Sequence, residues 1–217
     1  MFSGLSGSGL AVLLFSLVIG MAFHEAMHGF VAHWLGDSTA EDAGRLTLNP
    51  LRHIDVLTTV VLPFILIATG YPPIFAAKPV PFNPARLRYD EFGAALVGLA
   101  GPFTNLLLAA LAASAIRVLA PPTNGLEFAV FALFAEVNIA LFVFNMLPLP
   151  PLDGSRLLYA FAPDWLREIM MNIEHLGLLP ILLVLLLLMQ FIGPFLGNIE
   201  ADILNFLIPS LTGWGGV

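Results

Sequence analysis

Four long apolar runs constrain this chain more than any other feature of its sequence. Each is at or near the roughly 20 residues needed to cross a hydrocarbon core about 30 Å thick. They occupy residues 10–35, 92–119, 126–147 and 176–192. Of the 217 residues, 59% are hydrophobic and 11% are charged, whereas soluble domains carry roughly 25% charged residues. The sequence therefore predicts an all-α, polytopic transmembrane helix bundle that forms a single membrane-embedded domain over 1–217.

Two other apolar stretches are interrupted by helix breakers or charges. Residues 56–77 contain three prolines and one glycine, so we expect a re-entrant or hairpin segment after the first helix. Residues 195–211 contain two carboxylates and a proline, and both a short span and an interfacial helix fit this composition. The first run has no charge from Met1 to Met21 and continues to Leu35, so we interpret it as a retained helix and not as a cleaved leader.

Charge and cysteine usage exclude several classes of function. The chain contains no cysteine, so disulfides, thiolate zinc sites and cysteine nucleophiles are all excluded. Its net charge is −7 and its eight Lys and Arg residues form no dense cluster, so we expect no nucleic-acid partner. A metal ion in this chain would have to be held by His, Asp or Glu side chains.

A His-Glu-x-x-His pattern lies inside the first apolar run, at His24, Glu25 and His28. Residues four apart share one face of a helix, so both imidazoles can reach a single ion. Glu25 is then close enough to act as a general base, which is the arrangement found in zinc metalloproteases. Ionisable groups within a transmembrane helix are costly and usually mark function. The alternative is a polar cluster that only bonds neighbouring helices.

A third ligand is needed, because a catalytic zinc normally has three protein ligands and one open position. The strongest candidate is Asp153 in the segment 145–154, which reads Asn-Met-Leu-Pro-Leu-Pro-Pro-Leu-Asp-Gly. The prolines end the third run, and irregular backbone at membrane depth is tolerated where it lines a cavity. The Asp-Gly pair suits a tight turn directed into such a cavity, although taken alone Asp153 fits a solvated helix cap better.

Three blocks of the sequence together resemble the site-2 protease family of intramembrane zinc metalloproteases. They are His-Glu-Ala-Met-His at 24–28, Gly-Leu-Ala-Gly-Pro-Phe-Thr-Asn at 98–105, and the segment 145–154 with the Ser-Arg that follows it. The resemblance covers a core of about residues 8–160, with C-terminal helices at about 176–211. No stretch resembles a PDZ or CBS domain, so the resemblance is to the minimal prokaryotic type.

The resemblance implies a role for each matching residue. It assigns one Zn²⁺ to the two histidines and the aspartate, and the role of catalytic base to Glu25. It also makes Asn105 and Asn145 candidates for holding the substrate backbone or the oxyanion. The implied substrate is a transmembrane protein or a membrane peptide, cleaved within or near its transmembrane segment.

The remaining polar residues of interest fit structural roles. His33 is five residues past the second histidine of the motif, about 140° round a straight helix, and we expect it to be structural or interfacial. His53 lies in a polar loop, and His175 precedes the fourth run, where it fits an interface anchor. Glu136 and Asn138 lie inside the third run, and they either line the cavity or only join helices.

Two competing functions use the same residues. A metal-ion transporter would need polar residues along a whole pathway, whereas here they concentrate at one depth together with a general base that transport does not need. A proteolytically inactive scaffold of the same fold would usually lack Glu25 or a ligand, and all of them are present. Hydrolysis by an intramembrane zinc metalloprotease is therefore the preferred interpretation.

The zinc residues also predict the topology. Since they must meet, the first and third runs end at one membrane face, and the second run leads away from it. Seven of the eight Lys and Arg residues then lie on that face, and only Arg117 lies on the other. By the positive-inside rule that face is cytoplasmic, which predicts an inner-membrane protein of a prokaryotic cell with its active site in the cytoplasmic half.

Overall fold

The computed structural model describes residues 7–55, 61 and 78–209. The expected re-entrant or hairpin segment at 56–77 lies outside these residues, apart from Val61. Within the described part of the chain there are α-helices and short 3₁₀ turns, and no strand. The α-helices are α1 (Gly7–Trp34), α2 (Thr39–Asp42), α3 (Asp90–Leu119), α4 (Leu126–Asn145), α5 (Gly154–Phe161), α6 (Asp164–His175) and α7 (Leu178–Leu207).

Four of these helices are long and apolar enough to cross a membrane: α1, α3, α4 and the Leu183–Leu207 part of α7. The first three confirm the predicted runs to within three residues at each end. The separate treatment of residues 176–192 and 195–211 was wrong, because residues 178–207 form the continuous helix α7. Pro194 lies inside this helix, since a proline removes only one backbone donor and a bilayer strongly favours helix continuity.

The spans alternate in direction. The Arg88 N–H donates to the Leu35 carbonyl at 2.9 Å, so α3 begins at the membrane face where α1 ends. The Lys78 N–H donates to the His53 carbonyl at 2.9 Å, so the two ends of the intervening segment also meet there. We call this the proximal face. At the opposite, distal face, Arg117 at the end of α3 donates to the Leu207 carbonyl at 2.8 Å, so α7 ends beside α3.

Helix α3 is central, since it contacts α1, α4 and α5. Its buried face consists mainly of glycine and alanine, which allow neighbouring backbones to approach closely. In the distal half, Ala109, Ala112 and Ala113 pack against Phe128 and Ile139 of α4 in an apolar cluster that also receives α7. The His and Glu residues of α1 all lie in its proximal half, away from this cluster.

Two short helices, α5 and α6, connect α4 to α7 and were not predicted. Each has one apolar and one polar face and is too short to span. The search for spans could not reveal them, because their apolar residues recur at helical spacing without forming a continuous run. His175 ends α6 and is exposed, which agrees with its expected place at the start of the last span.

Single cysteines at Asp42 and Asn124 test this topology in a chain that has no native cysteine. Both positions are exposed, the first beyond α1 on the proximal face and the second between α3 and α4 on the distal face. We expect a membrane-impermeant maleimide to react with only one of the two variants in sealed vesicles of uniform orientation. Equal labelling of both from one side would contradict the arrangement.

Candidate metal centre

Three metal-ligating side chains from distant parts of the sequence converge at the proximal end of the bundle. His24 and His28 project from one face of α1, and Asp153 lies immediately before α5. The Asp153 Oδ2 atom is 2.9 Å from the His24 Nε2 atom and 3.4 Å from the His28 Nε2 atom. Among the described residues, these three form the group of His, Asp and Glu side chains able to hold a metal ion.

The hydrogen bonds on the far sides of the two rings fix which ring nitrogen of each faces Asp153. His28 Nδ1 lies 2.7 Å from the Val97 carbonyl, which can only accept, so Nδ1 carries the hydrogen. His24 Nδ1 lies 2.6 Å from Asn105 Oδ1. The Asn105 amide orientation follows from Gly20, whose carbonyl accepts from Nδ2 at 3.1 Å. His24 Nδ1 therefore donates as well, and both rings turn Nε2 toward the same carboxylate oxygen.

This convergence fits a cation. Two imidazole nitrogens and a carboxylate this close together need positive charge between them, which a metal ion or a proton supplies. Ligand atoms held at about 2.0–2.1 Å around one tetrahedral zinc lie about 3.3 Å apart, close to the two distances seen here. Each imidazole also donates its other N–H to an acceptor, the usual way in which a protein orients a metal-binding histidine. The donor set of two nitrogens and one oxygen therefore fits zinc.

The second sequence block explains how the ligands come so close. Gly98, Gly101 and Asn105 lie at i, i+3 and i+7 on α3 and so share one face. A Cβ atom at Gly98 would lie 2.9 Å from the Asp153 carbonyl oxygen, and one at Gly101 would lie 2.5 Å from His28 Nε2. The absence of a side chain at both glycines thus leaves room for the ligands. Asn105, one turn further along α3, contacts the His24 ring.

Glu25 lies beside the group but is not one of its three ligands. Its side chain is half-buried, and its Oε2 atom accepts the Val80 N–H at 2.8 Å. The carboxylate of Glu25 therefore contacts the segment that enters α3 from the proximal face. Neither Val80 nor the Val97 carbonyl was predicted, because a backbone group leaves no signature in a sequence.

The two asparagines occupy different environments. Asn105 is fully buried and its amide is used by His24, Gly20 and Asn138, so its contacts are those of a residue that orients a ligand. The expected contact of Asn105 with substrate stays a prediction. Asn145 is half-buried at the end of α4, where its Nδ2 atom donates to the Leu141 carbonyl at 2.9 Å. Its assignment to the substrate stays a prediction.

The other polar residues lie apart from the three ligands. The exposed His33 ring is 3.3 Å from Glu41, and the buried His53 ring lies 2.8 Å from the Thr47 carbonyl. Asn138 accepts from Asn105 at 2.9 Å, so it joins the hydrogen-bond network of the centre and also holds α4 to α3. The sequence had left both of these roles open for Asn138.

Comparison with known proteins gives a consistent family. The profile of Peptidase family M50 matches residues 122–189, which include Asp153. A Bacillus subtilis protein named as a zinc metalloprotease, YwhC, is 34% identical over 180 residues, 79% of this chain and 78% of that protein. Proteins named as zinc metalloprotease Rip2 are 31% identical over 154 residues in Mycolicibacterium smegmatis and 34% over 140 residues in Mycobacterium tuberculosis.

This chain belongs to peptidase family M50, the site-2 proteases. It is an integral, multi-pass membrane protein and an intramembrane zinc metalloprotease, as the resemblance of its three blocks implied. The match to Rip2 of M. smegmatis includes 69% of this chain and 57% of that relative. The match to Rip2 of M. tuberculosis includes 63% of this chain and 52% of that relative. No solved structure matches the chain significantly.

Replacement of Gly101 by Ala tests the space for the ligands. The added Cβ atom would meet both imidazoles, so we expect zinc affinity to fall about tenfold or more. Zinc retained against a graded chelator measures this. Gly197→Ala is the matched control, because nothing lies within 4 Å of its Cβ position on α7. Equal zinc retention by both variants would show that the close approach at Gly101 is not needed.

Replacement of Asn105 by Ala separates the two roles considered for this residue. If Asn105 orients His24, its loss should weaken zinc binding by about 10- to 100-fold. Asn145→Ala should leave the metal content unchanged, because its amide donates to the backbone of its own helix. Normal zinc affinity combined with lost turnover in Asn105→Ala would restore the substrate role and contradict the role inferred from its contacts.

Proposed function

We propose that His24, His28 and Asp153 hold one Zn²⁺ and that Glu25 is the catalytic base. The proposed reaction is hydrolysis of peptide bonds within or near transmembrane segments of membrane proteins or membrane peptides. The observation that carries this proposal is the convergence of both Nε2 atoms on one carboxylate oxygen, with a separate carboxylate, that of Glu25, at the same end of α1. The family supports the class of reaction, and the geometry supports the division of roles.

The bound zinc would supply Lewis acidity, which lowers the pKa of water and polarises a peptide carbonyl. Glu25 is proposed to take the proton from the attacking water at its carboxylate and to deliver it to the leaving amine. Its Oε2 atom already accepts the Val80 N–H, which leaves the other carboxylate oxygen for the proton. Asn145, at the end of α4, is proposed to hold the substrate backbone with its amide.

Substrate access requires local unwinding. Peptide bonds of a transmembrane helix are protected by their own hydrogen bonds, so the helix must open before the carbonyl can be attacked. His24 is ten residues from the end of α1, about 15 Å from the proximal end of that helix. We therefore propose cleavage near the proximal membrane face, where a substrate helix frays most readily.

The proximal face is proposed to be cytoplasmic, in the inner membrane of a prokaryotic cell. Its basic residues are Arg45, Arg52, Lys78, Arg86, Arg88, Arg156 and Arg167, whereas Arg117 ends α3 at the distal face. Seven against one is the asymmetry that the positive-inside rule associates with the cytoplasm. The cysteine at Asn124 should then be the one labelled from outside the cell.

A transporter is less well supported by the arrangement. Distal to the Asn105 and Asn138 pair, the interface of α3 with α4 consists of Ala109, Ala112, Phe128 and other apolar side chains. An ion would find few polar groups along that path. A base beside the metal site also has no purpose in transport, and both observations favour hydrolysis.

Replacement of Glu25 by Gln separates binding from chemistry. The amide keeps nearly the same shape but cannot take up a proton, so turnover should fall by about 10²- to 10⁴-fold. Zinc content should stay near one per chain, and a membrane-embedded substrate should still be trapped. Purified protein with a transmembrane reporter, assayed for cleavage, zinc and co-purified substrate, gives all three readouts. Cleavage at the normal rate would make this mechanism wrong.

Replacement of Asp153 by Ala complements that experiment through the metal. It should abolish both zinc retention and turnover, whereas His175→Ala should keep its metal because His175 is exposed at the end of α6. The two inactive variants, at Glu25 and Asp153, should thus differ in zinc content. Full zinc in Asp153→Ala would reverse the assignment of the third ligand.

A further inference from the structure

The segment Lys78–Asn83 lies against α1 near Glu25, and only its Val80 N–H has been described so far. It reads Lys-Pro-Val-Pro-Phe-Asn and contains no helix. Its middle residue, Val80, donates its N–H to Glu25 Oε2 at 2.8 Å. The proposed base is thus held by a backbone group that is 55 residues away in the chain.

The sequence of this segment suits it to present one donor. Pro79 and Pro81 lack an N–H and fix their own φ angles, and each favours extended backbone in the residue before it. Val80 is therefore a lone N–H between two prolines in a stiffened, extended stretch. Its side chain is buried while both prolines are exposed, which is the alternation expected of extended backbone.

Both ends of the segment are anchored to the chain that follows α1. Asp37 accepts the Asn83 N–H at 2.6 Å, and Arg45 donates to the Lys78 carbonyl at 2.7 Å. Asp37 is fully buried, and it also accepts the Thr39 N–H at 3.0 Å. Burial alone would raise the pKa of Asp37, but the hydrogen bonds from Thr39 and Asn83 outweigh it and hold that pKa below its usual range.

The segment also contacts the helix that follows the third ligand. The Arg156 guanidinium lies 5.9 Å from the centre of the Phe82 ring, and Arg156 is three residues past Asp153. Arg156 is itself paired with Glu174 of α6 at 3.4 Å. One short segment therefore connects the base to the helix that follows the third ligand, so a shift in either is opposed by the other.

We propose that the Val80 N–H, held in place by Asp37 and Arg45, is a positioning group for the Glu25 carboxylate. The proposal rests on the proposed role of Glu25 as the base. A carboxylate that accepts a fixed backbone N–H loses rotational freedom, and hydrogen bonds to charged groups are stronger than neutral ones. With one oxygen bound to Val80, the other is directed toward the reacting water in a single orientation. Val80 and Asp37 are thus positioning residues and do not touch the substrate.

A pair of variants at Val80 separates the N–H from the side chain. Val80→Pro removes the N–H and keeps an apolar side chain of similar size, whereas Val80→Ala keeps the N–H and loses the buried isopropyl group that packs near Gly29. We expect kcat of Val80→Pro to fall about tenfold or more below that of Val80→Ala, because the bond to a charged acceptor is lost. KM and zinc content should agree within about twofold, since neither the metal nor the substrate site is touched.

A backbone ester provides the same test without a change of side chain. Incorporation of the α-hydroxy analogue of valine at position 80 replaces the N–H by an oxygen and leaves the isopropyl group in place. It should reproduce the kcat loss of Val80→Pro, which covers the case in which a third proline disturbs folding. The ester variant with wild-type kcat would overturn the proposal.

Asp37 gives an independent test of the anchor. In Asp37→Asn a neutral amide replaces the carboxylate that accepts the Thr39 and Asn83 N–H groups, so these hydrogen bonds weaken. We therefore expect kcat to fall several-fold with zinc retained. Asp42→Asn is the matched control, because Asp42 is exposed and only accepts from the Ser38 hydroxyl at 3.1 Å. A lower zinc content per chain in Asp37→Asn would mean that Asp37 is merely structural. Equal kcat in the two variants would likewise overturn this part of the proposal.

The outcomes distinguish this inference from the proposed function. If Glu25→Gln is inactive and the Val80 ester variant is fully active, the base is correct and its positioning by Val80 is wrong. If Glu25→Gln itself cleaves normally, the proposed function fails first and the Val80 contact has no base to position. Loss of kcat in both, with zinc and KM retained, is the result expected here.

Discussion

The rest of this structure depends on one interaction, the contact of two imidazole nitrogens with one carboxylate in the proximal half of an apolar bundle. Such a group is unfavourable in a low-dielectric interior without a cation. Around it the fold must provide close backbone approach, oriented rings and an irregular segment that brings in Asp153. Gly98, Gly101 and the proline-rich turn after α4 provide these, and each is explained by the centre.

A layer of amides connects the centre to the bundle. Asn105 joins His24 to Gly20 and Asn138, so three helices share one hydrogen-bonded layer at a single depth. In a bilayer these polar groups have no water to turn to, so the network must be satisfied internally. Beyond it the described interior is apolar apart from two half-buried carboxylates, Glu136 of α4 and Glu200 of α7. The boundary confines polar chemistry to the proximal half, which fits a hydrolase that admits water from one side.

The sequence predicts much of this because several constraints are local. Span length follows from the bilayer, and the four-residue spacing of His24 and His28 follows from helix geometry. Asp153 could be proposed because the His-Glu-x-x-His pattern needs a third ligand and Asp153 follows the three prolines that end a span. The contact of Asn105 with His24 could not be predicted, because the two residues are 81 positions apart and meet only through the packing of α1 on α3. Val80 was missed for a similar reason, since it acts through its backbone. The continuity of α7 was missed because Pro194 and two carboxylates suggest a break in water, whereas lipid favours an unbroken helix.

The position of the metal tests the central claim most directly. Diffraction data collected on either side of the zinc absorption edge, from crystals of the zinc-loaded protein, would place the ion independently of any activity. The account predicts one anomalous peak at about 2.0–2.2 Å from His24 Nε2, His28 Nε2 and an Asp153 carboxylate oxygen, with Glu25 outside bonding distance. A peak at His53, or between Glu136 and Glu200, with none beside His24 and His28, would contradict it.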